Sequence, residues 1–366
     1  MGLDRIEVVL PDHQYAIHVG AGVLDQVGAI VSPPAAGRAA ALVADETTGR
    51  LFAPRVLASL EAGGWKPTLL TVPPGEASKS LDVAGRLLCE LADAGLDRGS
   101  TLFALGGGVV GDLGGFVAAT YMRGIDFVTL PTTLLAQVDS SIGGKVGVDL
   151  PQGKNLAGAF HQPVAVVTDP VALESLARPQ LLAGLGEVIK HAAIADDGLF
   201  RELESLGAVV LEMRGGELEA IVARNCRIKA DVVSRDPHER TGLRATLNYG
   251  HTIGHAIELG AEAWGLLHGQ AIGLGMIAEA RAAVGLGFSA PGVADRLAAL
   301  LTRLGMPLSI NRIEVDVDLA LRALRADKKV VGGVLSLPVV PEIGRAEVRE
   351  DVGLDQVEGA LLGVLD

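Results

Sequence analysis

The chain has 366 residues, 49% of them hydrophobic, and a formal net charge of −13. That length and apolar share suffice for two cores, while the acidic balance argues against a general nucleic-acid or anionic-membrane surface. No apolar run is long enough to span a bilayer, and the first residues carry Asp4, Arg5 and Glu7 rather than a signal-peptide core. Cys89 and Cys226 lie far apart in helical patterns and read as buried thiols of a reducing compartment, so the expectation is a cytoplasmic protein.

Short apolar runs predict strands over 39–44 and 68–72, a helix over 81–94, and strands over 101–105, 127–130 and 164–168. Strands separated by helices imply a mostly parallel sheet covered on both faces. From about Val171 the pattern turns helical, with breaks near Gly207, Pro237, Gly260, Gly287 and Pro307 and a late strand-like run over 334–340. The spacing predicts an α/β domain over 1–170 and a mainly α-helical domain over 171–366, packed around a cleft.

The strand over 101–105 runs into Gly106-Gly107-Gly108-Val109-Val110-Gly111-Asp112-Leu113-Gly114-Gly115. Glycines at 106, 108 and 111 meet the spacing of a dinucleotide fingerprint, in which bare backbone approaches a phosphate at a helix N-terminus. A tight strand-to-helix turn explains the same residues. The loop Gly75-Glu76-Ala77-Ser78-Lys79 and the earlier strand end at Asp45 add polar groups that favour a nucleotide. Thr132 and Thr133, just past the next strand, offer hydroxyls at a helix start, or a plain N-cap. Lys145, after two glycines, and Gly153-Lys154-Asn155 put two ammonium groups and an amide on flexible backbone, which suits a phosphate or carboxylate.

In the helical half, Glu187 and Lys190 stand three apart, and His251 and His255 four apart on one helix face. His268 opens another apolar helix, where an ionisable group is costly. A lone histidine here is a hydrogen-bonded core residue more often than a ligand, but the group suggests a catalytic metal. Spacing favours the pair His251 and His255 and leaves open which three of Glu187, His251, His255 and His268 are ligands. Three protein ligands would leave a position open to substrate. Seven of the eight lysines (Lys79, Lys145, Lys154, Lys190, Lys229, Lys328 and Lys329) fall in segments that look functional on other grounds, in a chain that otherwise uses arginine.

The runs LGGGVVGDLGGF, ATYMRGIDFVTLPTTLLAQVDSSIGGK, GKNLAGAFHQP, GEVIKH, GLRATLNYGHTIGHAIE and DKK, spread over roughly 45–344, resemble the 3-dehydroquinate synthase family of sugar phosphate cyclases. The resemblance implies a Rossmann-like NAD-binding α/β domain, an α-helical metal-binding domain and a homodimer with a shared active site. It implies conversion of 3-deoxy-D-arabino-heptulosonate 7-phosphate to 3-dehydroquinate and phosphate, in the shikimate pathway. The course implied is transient NAD-dependent oxidation, β-elimination of phosphate, re-reduction, ring opening and intramolecular aldol closure. It makes Glu187, His251 and His268 the ligands of Zn²⁺ or Co²⁺ and leaves His255 to substrate and proton handling. It places NAD⁺ along Asp45, Glu76, Lys79, Gly107, Gly108, Asp112, Thr132, Thr133 and Lys154. Substrate falls to Asp139, Lys145, Asn155, Lys190, Lys229, Arg244, Asn248, His255 and Lys328 or Lys329, with Arg123 reaching the phosphate from the partner subunit. Lys145, Lys190, Arg244, Asn248, His255 and Glu239 carry the catalytic expectations.

Departures from the family pattern are Gln270 and Pro74 where acids are frequent, Glu46-Thr47 after Asp45, and a longer loop before Arg244 that shifts Glu239 by one place. Rival readings are a sister cyclase acting on sedoheptulose 7-phosphate or glucose 6-phosphate, a polyol dehydrogenase of the same architecture, and a non-catalytic binding protein. The complete set of ligands and lysines argues against the last two.

Overall fold

The computed structural model describes residues 3–33, 38–237, 239, 241–326, 330–331 and 334–366. The candidates Lys328 and Lys329 lie outside the described residues. The chain divides into two compact units, one of residues 1–176 with 214–234, the other of 177–213 with 235–366.

The first unit carries strands β1 (Asp4–Val9), β2 (Gln14–Val19), β3 (Arg38–Asp45), β4 (Trp65–Val72), β5 (Thr101–Gly106), β6 (Asp126–Pro131), β7 (Lys145–Leu150), β8 (Gly153–Phe160) and β9 (Ala165–Thr168). Seven form one sheet in the order β1-β2-β9-β6-β5-β3-β4, parallel except for the β1–β2 pair. Alternation along the strands feeds two cores. Ala40, Leu42, Phe103 and Leu105 pack with Phe52, Val56 and Leu60, whereas Ala41, Val43, Leu102 and Ala104 pack with Leu87, Leu113 and Val117. The helix Gly108–Thr120 lies hard against the sheet because a Cβ on Gly114 would stand 2.9 Å from that of Ala104.

Two hairpins differ from the sequence expectation. β1 and β2 extend the sheet, and Lys145, Lys154 and Asn155 sit on the antiparallel β7–β8 pair rather than on flexible backbone. Strand β8 is poor in β-branched residues and largely exposed, so local pattern does not announce it. Its partner supplies the reason, since Val146 and Val148 of β7 belong to the core.

Cys226 is buried as expected, but Cys89 is exposed. In the helix Leu81–Asp93 the inward residues are Ala84, Leu87 and Leu91, and Cys89, two positions from each leucine, falls across the helix. Burial pushes the Cys226 thiol up to about 12. A disulfide reagent at neutral pH is therefore expected to titrate one thiol per folded chain quickly and the second only on unfolding. Two fast thiols, or none, would contradict these environments.

A single cut near 170 is also not what packing produces. The helix Gly215–Arg235 belongs to the first unit through Ser234, where the Cys226 thiol donates to Gln137 O (3.3 Å) and Gly215 lies against the Pro170 carbonyl.

The second unit holds the helices Arg178–Ala195, Asp197–Leu206, His251–Gly260, His268–Gly285, Gly292–Leu304, Val317–Arg325 and Leu354–Leu362. A small antiparallel sheet pairs Val334–Glu342 with Arg345–Gly353, the latter missed in sequence because its Arg-Ala-Glu-Val-Arg-Glu-Asp run is mostly charged. No helix among the described residues is long and apolar enough to cross a membrane.

Candidate active site

In the first unit β3, β4, β5 and β6 run parallel and end on one edge, with Asp45 level with Val72, Ala44 with Leu105, and Gly106 with Pro131. The chain passes from β3 outward to β4, returns to β5 and continues to β6 and β9, so the connections diverge between β3 and β5. Ligands bind at such switch points. The late glycine turn and the earlier Asp45 therefore stand on neighbouring strand ends. Gly107 precedes the helix Gly108–Thr120 with no side-chain cap, and a Cβ there would be 3.1 Å from Thr133 Cγ2. Bare backbone is what that crevice admits.

Several candidates on this edge also hold structure. Asp45 Oδ1 accepts from the Thr47 and Thr48 amides (2.8 and 3.0 Å), and Thr133 Oγ1 accepts from Ala136 N (3.2 Å). Thr132 is buried beside it, and Glu76 and Lys154 are exposed. Lys79, 5% exposed, pairs with Asp112 Oδ2 at 2.6 Å and donates to Asn155 Oδ1, while the Asn155 amide donates to Asp149 Oδ1 (2.7 Å). Asn155 adopts φ 57° to make this turn. Lys229 donates to the Asp139 carbonyl (2.6 Å) and pairs with its carboxylate. Arg123 lies at the other end of the helix that follows the glycine turn. It is exposed, follows Met122 in left-handed backbone (φ 49° and 72°), and lies beyond the opposite end of the helix from Gly108, roughly 20 Å away at helical rise.

In the second unit three helices meet through glycines. A Cβ on Gly269 would fall 1.8 Å from Ala183 O, one on Gly186 2.6 Å from Gly269 O, and one on Gly275 1.9 Å from Gly250 O. These contacts bring Glu187, fully buried, up to the histidines. Glu187 Oε2 pairs with Lys190, itself 1% exposed, and Oε1 stands 3.6 Å from His251 Nε2 and 3.4 Å from His268 Nε2. His255 completes the group, with one nitrogen from each of the three imidazoles within 4.8 Å of the others. His251 Nδ1 is 3.2 Å from Tyr249 O and His268 Nδ1 is 3.0 Å from Glu258 Oε2, so both rings turn Nε2 toward Glu187. One carboxylate and imidazole nitrogens, oriented by hydrogen bonds behind them, fit Zn²⁺ or Co²⁺.

The electrostatics agree. Burial, reinforced by Lys190, holds His251 well below the ordinary imidazole range, and therefore neutral. Burial pulls His268 down too, but hydrogen bonds to Glu187 and Glu258 outweigh it and push the ring up to about 10. The carboxylates thus hold a proton where a cation would be stabilised.

Arg244, 3% exposed, opens the turn Arg244–Asn248 that carries Asn248; its amide donates to Asp236 Oδ2 (3.0 Å) and its guanidinium to Pro237 O (2.7 Å). Glu239, in left-handed backbone at φ 56°, reaches to 3.7 Å from Arg244 Nε. Gln270 accepts from the Leu267 amide at 3.2 Å, a capping contact that a glutamate could equally make. Sequence reasoning passed over Asp236, Glu258 and Glu279. Glu279 is buried in the helix His268–Gly285, and accepts from the Gly250 and Ile253 amides (2.7 and 3.3 Å), so it caps the His251 helix. An acid inside the apolar run Met276-Ile277-Ala278-Glu279-Ala280 was the available signal.

Residues 69–183 match the family 3-dehydroquinate synthase N-terminal and residues 184–330 the family 3-dehydroquinate synthase C-terminal. The chain belongs to the 3-dehydroquinate synthase family. A 3-dehydroquinate synthase of Symbiobacterium thermophilum is 48% identical, covering 96% of this chain and 98% of its own, and one of Nostoc punctiforme is 40% identical, covering 98% and 99%. Solved relatives of the dehydroquinate synthase fold include a 2-deoxy-scyllo-inosose synthase complexed with carbaglucose-6-phosphate, NAD⁺ and Co²⁺ (TM-score 0.89, 26% identity, 99% and 100% of the two chains). Another is the 2-epi-5-epi-valiolone synthase of Streptomyces hygroscopicus with NAD⁺ and Zn²⁺ bound (TM-score 0.86, 27% identity, 97% and 98%).

Proposed function

We propose that this chain converts 3-deoxy-D-arabino-heptulosonate 7-phosphate into 3-dehydroquinate and phosphate, as a carbon–oxygen lyase acting on a phosphate ester in the cytoplasm. The observation that carries the reading is the convergence of Glu187 with His251, His255 and His268 in a chain whose sequence relatives are dehydroquinate synthases. The sister cyclases are 26–27% identical, against 40–48% for these relatives. A substrate with a carboxylate besides its phosphate also calls for more cationic groups, which Lys145, Lys190, Lys229 and Arg244 supply.

Glu187, His251 and His268 would hold Zn²⁺ or Co²⁺. Asp45, Glu76, Lys79, Gly107, Gly108, Asp112, Thr132, Thr133 and Lys154 would hold NAD⁺ at the switch point. When bound, the cation supplies Lewis acidity and the nucleotide a reversible hydride acceptor, so no net redox results. The chain's own groups do the rest. Arg244, whose guanidinium donates to the Pro237 carbonyl, Lys190, Lys145 and the Asp139–Lys229 pair would orient anionic groups of the substrate. The Asn155 and Asn248 amides offer a donor and an acceptor to ring hydroxyls. His255, exposed beside its buried neighbours, takes up and returns a proton at a ring nitrogen, with Glu239 as the second acid. Such positioning can lower a barrier by about 7–11 kcal/mol.

The test is incubation with that heptulosonate phosphate, catalytic NAD⁺ and Zn²⁺ or Co²⁺. Phosphate and dehydroquinate should form in equal amounts without NADH accumulation, chelation should abolish turnover, and either metal should restore it. Phosphate release only from sugar phosphates lacking the carboxylate would favour a sister cyclase.

The exposed, left-handed Arg123, at the far end of its helix from the glycine turn, supports a homodimer in which it serves the other subunit's site. Mixing an Arg123→Ala dimer with a Lys145→Ala dimer should recover activity after subunit exchange; none, with exchange demonstrated, counts against sharing.

A further inference from the structure

We propose that Glu258 is a positioning residue of the metal centre, fixing the tautomer and direction of His268; the inference rests on the ligand set Glu187, His251 and His268 read above. His251, His255 and Glu258 follow one another at four and three residues on the helix His251–Gly260, so all three project from one face. That face carries two imidazoles and, one turn on, a carboxylate that reaches the next helix. There Glu258 Oε2 meets His268 Nδ1 at 3.0 Å, and the opposite nitrogen of the ring lies 3.4 Å from Glu187 Oε1.

The two histidines differ in what orients them. His251 Nδ1 faces a backbone carbonyl, Tyr249 O, two residues back in its own chain, a partner no side-chain change removes. His268 is the first residue of its helix, has no preceding turn beneath its ring, and its side chain is 28% exposed. His251 also opens its helix, so the difference lies in the partner of Nδ1, a side chain for His268 and main chain for His251. Glu258, whose side chain is 21% exposed, is shielded enough to keep the hydrogen bond in place. A carboxylate accepting from Nδ1–H leaves the Nε2 lone pair free for a cation and makes it more basic.

The experiment is competition for Zn²⁺ against a chromophoric chelator, with Co²⁺ absorption spectra, on metal-stripped wild type, Glu258→Ala, Glu258→Gln and His268→Ala. The expected result is one tight Zn²⁺ per chain in wild type, loss of it in His268→Ala, and affinity about 10- to 100-fold weaker in Glu258→Ala. Glu258→Gln, which keeps an acceptor for Nδ1–H, should recover part of the affinity, and the Co²⁺ spectrum of Glu258→Ala should shift. A merely structural role would move the melting temperature but not that spectrum. Wild-type affinity and spectrum in both Glu258 variants, with His268→Ala defective, would overturn the proposal and leave the ligand set standing. Absence of Zn²⁺ uptake by wild type, or unchanged uptake by His268→Ala, would overturn the ligand set and the proposal together. Should Glu258→Ala fail to fold, Glu258→Gln decides by the same criteria.

Discussion

Gly269→Ala is expected to lower the unfolding free energy by about 3 kcal/mol, although alanine is the better helix former. Two effects oppose each other. Helix propensity favours the substitution by about 1 kcal/mol. Against it, the new Cβ would stand 1.8 Å from Ala183 O and 2.5 Å from its carbonyl carbon, and main-chain atoms cannot rotate aside as a side chain can. The helices Arg178–Ala195 and His268–Gly285 must then part, and sterics win. Because the same contact sets Glu187 against His268, metal affinity should fall with stability. Gly285→Ala is the control: it lies in the same helix and a Cβ there meets nothing within 4 Å, so only propensity acts. Denaturant midpoints and Zn²⁺ titrations on the two variants test this, and equal stability would refute the packing argument.

Glu187→Leu should cost about 3–5 kcal/mol from the broken ion pair and, if Glu187 is the ligand proposed above, about two orders of magnitude in turnover. The substitution removes a fully buried carboxylate from beside Lys190, which is 1% exposed. Adding Lys190→Met should return most of the stability, because replacing both members of a buried pair by apolar side chains is often neutral or better. It should return none of the activity. Recovery of turnover in the double variant would remove Glu187 from the catalytic centre, and failure to recover stability would mean that the pair is not the main cost.

Much of the fold was legible because its signals are local. Apolar runs marked β3 to β6 and β9, and glycine and proline marked the ends of the later helices. The β7–β8 hairpin and the strand Arg345–Gly353 were not legible, since each is held by a partner strand rather than by its own pattern. In the site, helical spacing placed His251 beside His255, and charge on apolar helices pointed to Glu187 and His268. Spacing could not rank the four candidates, because ranking depends on what stands behind each ring. Glu258 and Glu279 were visible as residues, but their partners lie on another helix and appear only once glycines at 186, 250, 269 and 275 bring the backbones together. Cys89 shows the converse error, an apolar-looking residue on the outward face of its helix.

The return of the helix Gly215–Arg235 to the first unit sets an order of assembly during synthesis. The ribosome finishes β9 and the edge that carries Asp45, Gly107 and Thr132 well before that helix emerges. Until it does, Gln137 lacks the Cys226 thiol and Asp139 lacks Lys229. The amino-terminal unit therefore cannot close as soon as its sheet is made; it waits while the first stretch of its neighbour is translated, with apolar surface exposed to chaperones meanwhile. A fragment cut at Leu176 would be permanently in that state, so gene division at the apparent domain boundary should yield an aggregation-prone product rather than an independent nucleotide-binding module.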